Sequence, residues 1–356
     1  MVVSSPLSSL SPTTNGRFLA VGRDHGYSVY LLTPLREVCR RTLPNTIGVR
    51  LISVGAETPL VALVGCSTKD WRRQSVEGQV PTVGKLKHSG PADVFGPNEV
   101  YLLNDATGEV LARLMYEGAV RSIQLSEWHL FVITDTSVHC HALESLTHLV
   151  SFPITGHVQC HAVSGGRFIV ATTTNTPGEL SIRTCQLDPD MPLEPPAIKE
   201  RCIVAHRTPV SCFALSADGL LVATVSDHGT LIRVFDVASG VEVGLCRRGH
   251  SAATVTSLGF NQGANRLLCH STNGTVHVFD VEGCKNVRVQ GGEGRSKLRE
   301  LRSFAKYHLP APEARLRAHL LVLPTVFFLI LENGCIHEVG YSSAGDCTVR
   351  SVTTLG

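Results

Sequence analysis

The sequence predicts an all-β fold, a seven-bladed β-propeller with degenerate WD40-like repeats. Two observations lead to this prediction: short apolar runs separated by turn residues along the whole chain, and an internal repeat. Runs rich in Val, Ile, Leu, Phe and Thr recur between Gly, Asn, Asp and Pro, whereas few stretches have apolar residues at i, i+3, i+4 and i+7. The chain is therefore expected to consist of many short strands.

The repeat is clearest in the second half of the chain. Residues 229–236 (GTLIRVFD) are echoed by residues 274–280 (GTVHVFD), and 274 − 229 gives a period of 45. Units of about 40–45 residues with four strands each are typical of propeller blades. Dividing the chain after residue 16 by this period gives about seven or eight blades, and long insertions favour seven. Phe-Asp replaces the usual Trp-Asp dipeptide, so the repeats are degenerate.

The domain prediction has one propeller, residues 17–356, preceded by a disordered Ser/Pro-rich tail, residues 1–16. Two polar segments, residues 67–98 and 283–302, are predicted to be loop insertions, the second within the penultimate blade. The longest apolar run, residues 320–331, is interrupted by Pro324. It is too short to span a bilayer and is predicted to be buried sheet.

Composition restricts the class of function. Hydrophobic residues make up 43% of the chain and charged residues 17%, a balance that excludes a disordered protein. The net charge of +2 provides no global field for a nucleic acid, and none is predicted as a partner. The twelve cysteines form no CxxC pair, and the N-terminal residues lack the pattern of a secretory signal. We therefore expect reduced thiols in a cytoplasmic protein.

The strongest chemical signal is the tetrapeptide Cys246-Arg247-Arg248-Gly249, between the two best-matched repeats. Because successive side chains of a strand point to opposite faces, two adjacent arginines are suited to two pockets on either side of one strand. The planar donor fork of arginine binds phosphate oxygens bidentately and stays charged. A glycine after the pair allows the backbone to turn or approach closely.

Around this tetrapeptide the sequence resembles the PROPPIN family, the β-propellers that bind polyphosphoinositides and act in autophagy. Residues 205–280 carry the resemblance, with an Arg-Arg-Gly tripeptide after a Gly-Thr-Leu-Ile-Arg-Val-Phe strand. Earlier strings such as residues 18–22, 60–65 and 100–105 agree more loosely. The resemblance implies a phosphoinositide-binding effector that is not an enzyme and uses no cofactor.

The resemblance also assigns two head-group pockets, each of which combines permanent cations with small hydroxyl donors. The first would consist of His206, Thr224, Ser226, Gly229, Thr230, Arg233 and Arg247. The second would consist of Arg248, Gly249, Ser271, Thr275 and His277. Cys246 replaces a packing Phe or Leu of the family. His228 stands where the family often has Lys, which weakens the first pocket or makes it respond to pH.

The basic insertion matches the place where the family has a membrane-contacting loop. In this chain the expected contact residues are Lys285, Arg288, Arg295, Lys297, Leu298, Arg299, Leu301 and Arg302. Leu298, Leu301 and Phe304 are expected to line one face of a short helix, with the arginines facing anionic lipids. Since bulky apolar residues are few, adsorption is expected more than deep insertion.

The implied ligand is phosphatidylinositol 3-phosphate, with the 3,5-bisphosphate as a second lipid. The implied partners are autophagy proteins such as an ATG2-type lipid-transfer protein, on phagophore, endosomal or vacuolar membranes. The alternative is a propeller scaffold for protein complexes with vestigial lipid sites.

An enzyme is disfavoured because the sequence has no GxSxG, HExxH or P-loop motif. His139-Cys140-His141 and Cys160-His161 lack further ligands or an orienting partner at suitable spacing. They are interpreted as structural, and no metal is predicted.

Overall fold

The computed structural model describes residues 9–13, 15–43, 48–66, 96–163, 166–188, 194–286 and 300–355. Within these residues the chain forms seven sheets, which are antiparallel except for one parallel pair of strands, and each is built from strands that are near one another in sequence. The strands group into two compact units, Met1–Ile154 with Leu187–Pro196 and Thr155–Gln186 with Ala197–Gly356. No helix in the described part of the chain has the length and apolarity needed to cross a membrane.

The first unit contains three four-stranded sheets. Sheet I consists of β1 (Ser9–Pro12), β2 (Phe18–Arg23), β3 (Gly26–Leu32) and β4 (Leu35–Thr42). Sheet II consists of β5 (Gly48–Val54), β6 (Leu60–Cys66), β7 (Glu99–Asn104) and β8 (Glu109–Met115). Sheet III consists of β9 (Val120–Leu125), β10 (His129–Thr134), β11 (Ser137–Ala142) and β12 (His148–Pro153).

The second unit contains four sheets, one with a fifth strand. Sheet IV consists of β13 (Val158–Val163), β14 (Arg167–Thr173), β15 (Glu179–Gln186) and β16 (Ala197–Val204). Sheet V consists of β17 (Val210–Leu215), β18 (Leu221–Ser226), β19 (Leu231–Asp236), β20 (Glu242–Arg247) and β24 (Glu300–Arg302). Sheet VI consists of β21 (Val255–Phe260), β22 (Arg266–Ser271), β23 (Thr275–Asp280) and β25 (Ala305–His308). Sheet VII consists of β26 (Ala318–Val322), β27 (Val326–Leu331), β28 (Cys335–Tyr341) and β29 (Cys347–Thr354).

These sheets are the blades of a β-propeller, so the predicted fold class is confirmed. The apolar run around Pro324 forms β26 and β27, and every residue of β27 is buried. Between sheets V and VI, one core includes Ile232 and Cys246 from the first sheet and Leu267 and Cys269 from the second. That the propeller is a single domain stays a prediction.

The predicted N-terminal tail is wrong for residues 9–12. This segment forms β1, in which Leu10 lies opposite Val21 and Pro12 opposite Leu19 of β2. Without β1, the backbone groups of β2 would remain unpaired on that side. This pairing fixes residues 9–12 in a strand, although their Ser/Pro-rich composition predicts disorder. Pro12 is compatible with this position because it ends an edge strand. Residues 1–8 lie outside the described residues.

The two predicted insertions are described only at their ends. Residues 67–95 lie outside the described residues, and Gly96 leads into β7. The basic segment begins with a 3-10 helix, Glu282–Asn286, and ends in β24, while residues 287–299 lie outside the described residues.

The helical face predicted for Leu301 and Phe304 is wrong. Leu301 lies in β24, which pairs in parallel with β20, and it packs against the core between sheets V and VI. Phe304 packs against the core of sheets VI and VII. Their spacing is compatible with a helix, but the open edge of β20 provides backbone partners for a strand. Arg302 is exposed.

Candidate functional site

The arginine pair lies where β20 ends. Leu231 of β19 is paired with Arg247, and the amide of Arg248 donates a hydrogen bond to the carbonyl of Thr230 at 3.0 Å. Strand alternation places Arg247 on the same face of sheet V as Arg233, which is itself paired with Leu245. Cys246 between them is fully buried in the core shared with sheet VI. The charge of Arg248 acts on Cys269 and His277 of sheet VI, so its guanidinium lies on the side of Cys246 and opposite to Arg247.

On the Arg247 face, three predicted residues are connected by hydrogen bonds. Nε2 of His206 lies 3.0 Å from Oγ1 of Thr224, and Thr224 lies opposite Arg233 in the sheet. Arg233 forms an ion pair with Glu242 at 3.3 Å. Burial, followed by the charge of Arg233, lowers the pKa of His206 to about 4. The imidazole is thus a neutral hydrogen-bonding group at neutral pH, next to an arginine.

Arg247 has an acidic partner that the sequence did not identify. Its Nη2 lies 2.6 Å from Oε2 of Glu300, the first residue of β24. This contact raises the pKa of Arg247 and lowers the pKa of Glu300. Carboxylate and phosphate oxygens both accept hydrogen bonds from a guanidinium, so Glu300 is bound by the group type that also binds phosphates.

The turn from Ser226 to Thr230 is fixed by its glycine. Gly229 has φ +64° and donates a backbone hydrogen bond to the carbonyl of Ser226 at 2.9 Å. A Cβ at this position would lie 1.8 Å from the carbonyl oxygen of Ala253, so only glycine fits. Thr230 contributes its carbonyl to the amide of Arg248. Gly229 and Thr230 thus fix the backbone beside the arginine pair.

Arg248 is buried and bound to the backbone. It is 6% exposed, and its Nε and Nη2 donate hydrogen bonds to the carbonyl oxygens of Gly229 and Ser251. The sequence suggested a close backbone approach at Gly249. A Cβ there would meet no atom of the described residues within 4 Å, apart from its own chain neighbours.

The other residues predicted for the second pocket share one face of sheet VI. Ser271 lies opposite Thr275, and Thr275 lies opposite His308. Oγ1 of Thr275 is 3.1 Å from Nδ1 of His308, and Nδ1 of His277 is 3.2 Å from Oγ of Ser303. Oγ of Ser271 is buried and has no hydrogen-bond partner among the described residues.

His277 connects this face electrostatically to the arginine pair. Burial lowers its pKa to about 4, and the charges of Lys306, Arg248 and His308 contribute further. Lys306 lies directly opposite His277 in the sheet. Sequence analysis missed Lys306 and His308, although their alternation with Tyr307 places both on one face of a strand. The face therefore combines cationic, imidazole and hydroxyl groups.

The membrane-contacting loop predicted from the sequence cannot be placed in full. Lys285 is described only by its backbone in the 3-10 helix. Arg288, Arg295, Lys297, Leu298 and Arg299 lie outside the described residues. Leu301 packs against the core, and Arg302 is exposed in β24.

The side chains of the two histidine–cysteine motifs, residues 139–141 and 160–161, contact neighbouring protein groups. His141 contacts the Tyr116 hydroxyl at 3.0 Å, and His139 contacts Oγ of Ser137 at 2.8 Å. Burial raises the pKa of the Cys160 thiol, and Nε2 of His161 lies 2.8 Å from the carbonyl of Ala217. The raised pKa disfavours the thiolate form of Cys160 that a nucleophile requires.

Comparison with known proteins identifies the family. The PROPPIN sequence profile matches residues 96–298, which is more than half of the chain. The chain belongs to the PROPPIN family. This PROPPIN match includes every predicted residue of the two pockets and ends before Arg299, Leu301 and Arg302.

Two curated relatives of this PROPPIN carry the names of autophagy-related proteins. Autophagy-related protein 21 of Pichia angusta is 26% identical over 292 residues, covering 80% of this chain and 68% of the relative. Autophagy-related protein 18 of Yarrowia lipolytica is 25% identical over 289 residues, covering 74% of this chain and 64% of the relative. The match therefore spans about two thirds of each relative's length.

Solved PROPPIN structures share the fold. Hsv2 of Kluyveromyces lactis has a TM-score of 0.77 at 18% identity, with 99% of this chain and 100% of that chain covered. KlAtg21 in complex with a coiled-coil of AgAtg16 has a TM-score of 0.68 at 16% identity, with 99% and 100% covered. The chain thus shares its β-propeller fold with these structures.

Proposed function

We propose that this chain is a non-catalytic peripheral membrane effector of autophagy that binds phosphoinositide head groups. Phosphatidylinositol 3-phosphate is the first candidate ligand, and the 3,5-bisphosphate is the second. The observation that carries the proposal is the placement of Arg247 and Arg248 on opposite sides of sheet V. Each arginine is accompanied by imidazole and hydroxyl groups from the neighbouring strands.

The first pocket of the proposal uses Arg247 as its phosphate-binding cation. Its side chain is 27% exposed and is held by a carboxylate, so an anionic phosphate is a chemically equivalent partner. Thr224 and His206 provide hydrogen-bonding groups on the same face. Ser226 and Thr230 are at the two ends of the turn fixed by Gly229.

The second pocket of the proposal uses Arg248 differently. Because two of its guanidinium nitrogens already bind backbone carbonyls, Arg248 supplies charge and holds the turn, while other groups make the contacts. Among the described residues, the Ser271 hydroxyl has no hydrogen-bond partner and a Cβ at Gly249 would have no contact beyond its chain neighbours, and both observations support a ligand here. Thr275 and His277 complete the donor set.

Liposome co-sedimentation tests the proposal. Wild-type protein is expected to pellet with vesicles that contain phosphatidylinositol 3-phosphate and to stay in the supernatant with vesicles that lack it. Arg247→Thr should reduce pelleting, and Arg36→Thr serves as the charge-matched control because Arg36 is an exposed arginine of sheet I. His277→Ala tests the second pocket without removing the buried guanidinium.

A scaffold for protein complexes is the second candidate function. It is favoured by the partners that both arginines already have, Glu300 for Arg247 and backbone carbonyls for Arg248. A coiled-coil of the kind bound by KlAtg21, or an ATG2-type lipid-transfer protein, would be its partner. If the wild-type protein does not pellet with vesicles that contain either phosphoinositide at moderate salt, lipid binding is excluded. The scaffold function then takes its place.

A further inference from the structure

Three different metal-ligand side chains converge in sheet VII and in the turn that precedes it. Glu313, Cys335 and His337 present a carboxylate oxygen, Sγ and Nε2 that all lie within 4.8 Å of one another. Nε2 of His337 is 2.8 Å from Oε2 of Glu313 and 3.6 Å from Sγ of Cys335. Cys335 is 5% exposed and His337 is 1% exposed.

We propose that Glu313, Cys335 and His337 form a zinc site that fastens this turn to β28. Thiolate and imidazole ligands together favour zinc over magnesium or calcium. One thiolate and one carboxylate would also neutralise the two charges of the ion, which reduces the cost of burying it. The proposal is independent of the phosphoinositide pockets.

The ligand atoms of Cys335 and His337 already have the separation that tetrahedral zinc requires. Tetrahedral zinc with Zn–S of about 2.3 Å and Zn–N of about 2.0 Å separates the two ligand atoms by about 3.5 Å. The observed distance between Sγ of Cys335 and Nε2 of His337 is 3.6 Å. The carboxylate is too close to the imidazole by about half an ångström for both to bind one zinc ion. Glu313 has a side-chain exposure of 20%, which leaves it room to move back.

Two supporting contacts prearrange the ligands. Oη of Tyr307 is 2.9 Å from Nδ1 of His337 and can accept a hydrogen bond from the Nδ1–H group when Nε2 binds the ion. The turn that carries Glu313 is closed by hydrogen bonds from the amides of Glu313 and Ala314 to the carbonyl of Pro310, at 2.9 Å and 3.0 Å. Cys335 and His337 share a face of β28 because they are two residues apart.

Zinc binding would require the loss of a proton from the Cys335 thiol and a change of tautomer at His337. The thiol proton of Cys335 leaves to solvent, and the ring proton of His337 is held on Nδ1, facing Tyr307. Glu313 enters as a carboxylate, and water takes the fourth position from the partly exposed side of the cluster. The expected result is a structural clip between the turn after β25 and the strand β28.

The test uses the full chain, reduced and freed of metal with a chelator, and titrated with Co²⁺ as a spectroscopic probe. A thiolate-to-cobalt band with tetrahedral visible bands is expected at a single equivalent, and Zn²⁺ should displace it. Cys335→Ser should lose the band. Cys347→Ser is the matched control, because Cys347 is a partly buried thiol of the same sheet outside the cluster.

A second measurement distinguishes the loss of zinc binding from the misfolding of a variant. Zn²⁺ should raise the thermal midpoint of the wild-type chain, and Glu313→Gln, which preserves the shape of a partly exposed side chain, should abolish the rise. The proposal is overturned if no thiolate band forms, if the band persists in Cys335→Ser, or if Glu313→Gln responds to Zn²⁺ as the wild type does.

Discussion

Arg248 should be far more important for folding than its neighbour Arg247. Replacing Arg248 with Met preserves the apolar stem and removes the donors that bind the carbonyls of Gly229 and Ser251. Hydrogen bonds to a charged group contribute about 1.5–3 kcal/mol each when buried. Gly229 is buried, whereas Ser251 is exposed and its carbonyl can be rehydrated. We therefore expect a loss of about 2–4 kcal/mol in the free energy of unfolding.

Urea unfolding, followed by tryptophan fluorescence and circular dichroism, measures this loss. With an m-value of about 3 kcal/mol/M, the midpoint of Arg248→Met should fall by about 1 M. Arg247→Met is the matched control, since the same substitution one residue earlier removes only a partly exposed ion pair. Its midpoint should equal that of the wild type. If Arg248→Met has the wild-type midpoint, or if both variants lose equal stability, the conclusion that the backbone hydrogen bonds of Arg248 stabilise the fold is refuted.

Three further predictions concern the same part of the chain. Glu300→Gln should increase pelleting with phosphoinositide vesicles because it removes the carboxylate that competes for Arg247; reduced pelleting would mean that Glu300 positions the guanidinium. Gly229→Ala should destabilise the protein much more than Gly108→Ala in urea unfolding. Both glycines have positive φ, at a cost of about 1–2 kcal/mol for alanine, but only at Gly229 would Cβ collide with a carbonyl. Stability should fall as the pH drops from about 6.5 to 4, because burial lowers the pKa of His270 to about 4 and the unfolded chain then binds more protons. Urea midpoints measured across this range should show a weaker pH dependence in His270→Gln.

The fold was predictable because it depends on local patterns. The repeat of 229–236 at 274–280 corresponds to β19 and β23, at equivalent places in sheets V and VI. The opposite sides of Arg247 and Arg248 followed from strand alternation, which needs no tertiary information. Residues 9–12 were missed because their strand depends on the partner β2 and not on their own composition.

The partners of the site residues were less predictable. Glu300 was seen in the sequence as an acidic residue of a basic loop, and its contact with Arg247 depends on the parallel pairing of β24 with β20. Because of the same pairing, Leu301 packs against the core, whereas the sequence predicted that it faces lipid. The cluster around Cys335 and His337 was missed because its third member comes from a separate turn. Contacts between distant segments leave no periodic signal in the sequence.

The segment between the 3-10 helix and β24 is inserted in sheet VI, yet both of its described ends are fixed to sheet V. At one end Cys284 packs in the core next to Gly244, where a Cβ would lie 2.5 Å from its Sγ. At the other end Leu301 pairs with Cys246. The two described ends of the segment are therefore held beside β20, and Arg302 lies directly opposite Arg247. Under the proposed function, a membrane contact made by Arg302 would raise the effective concentration of head groups at Arg247.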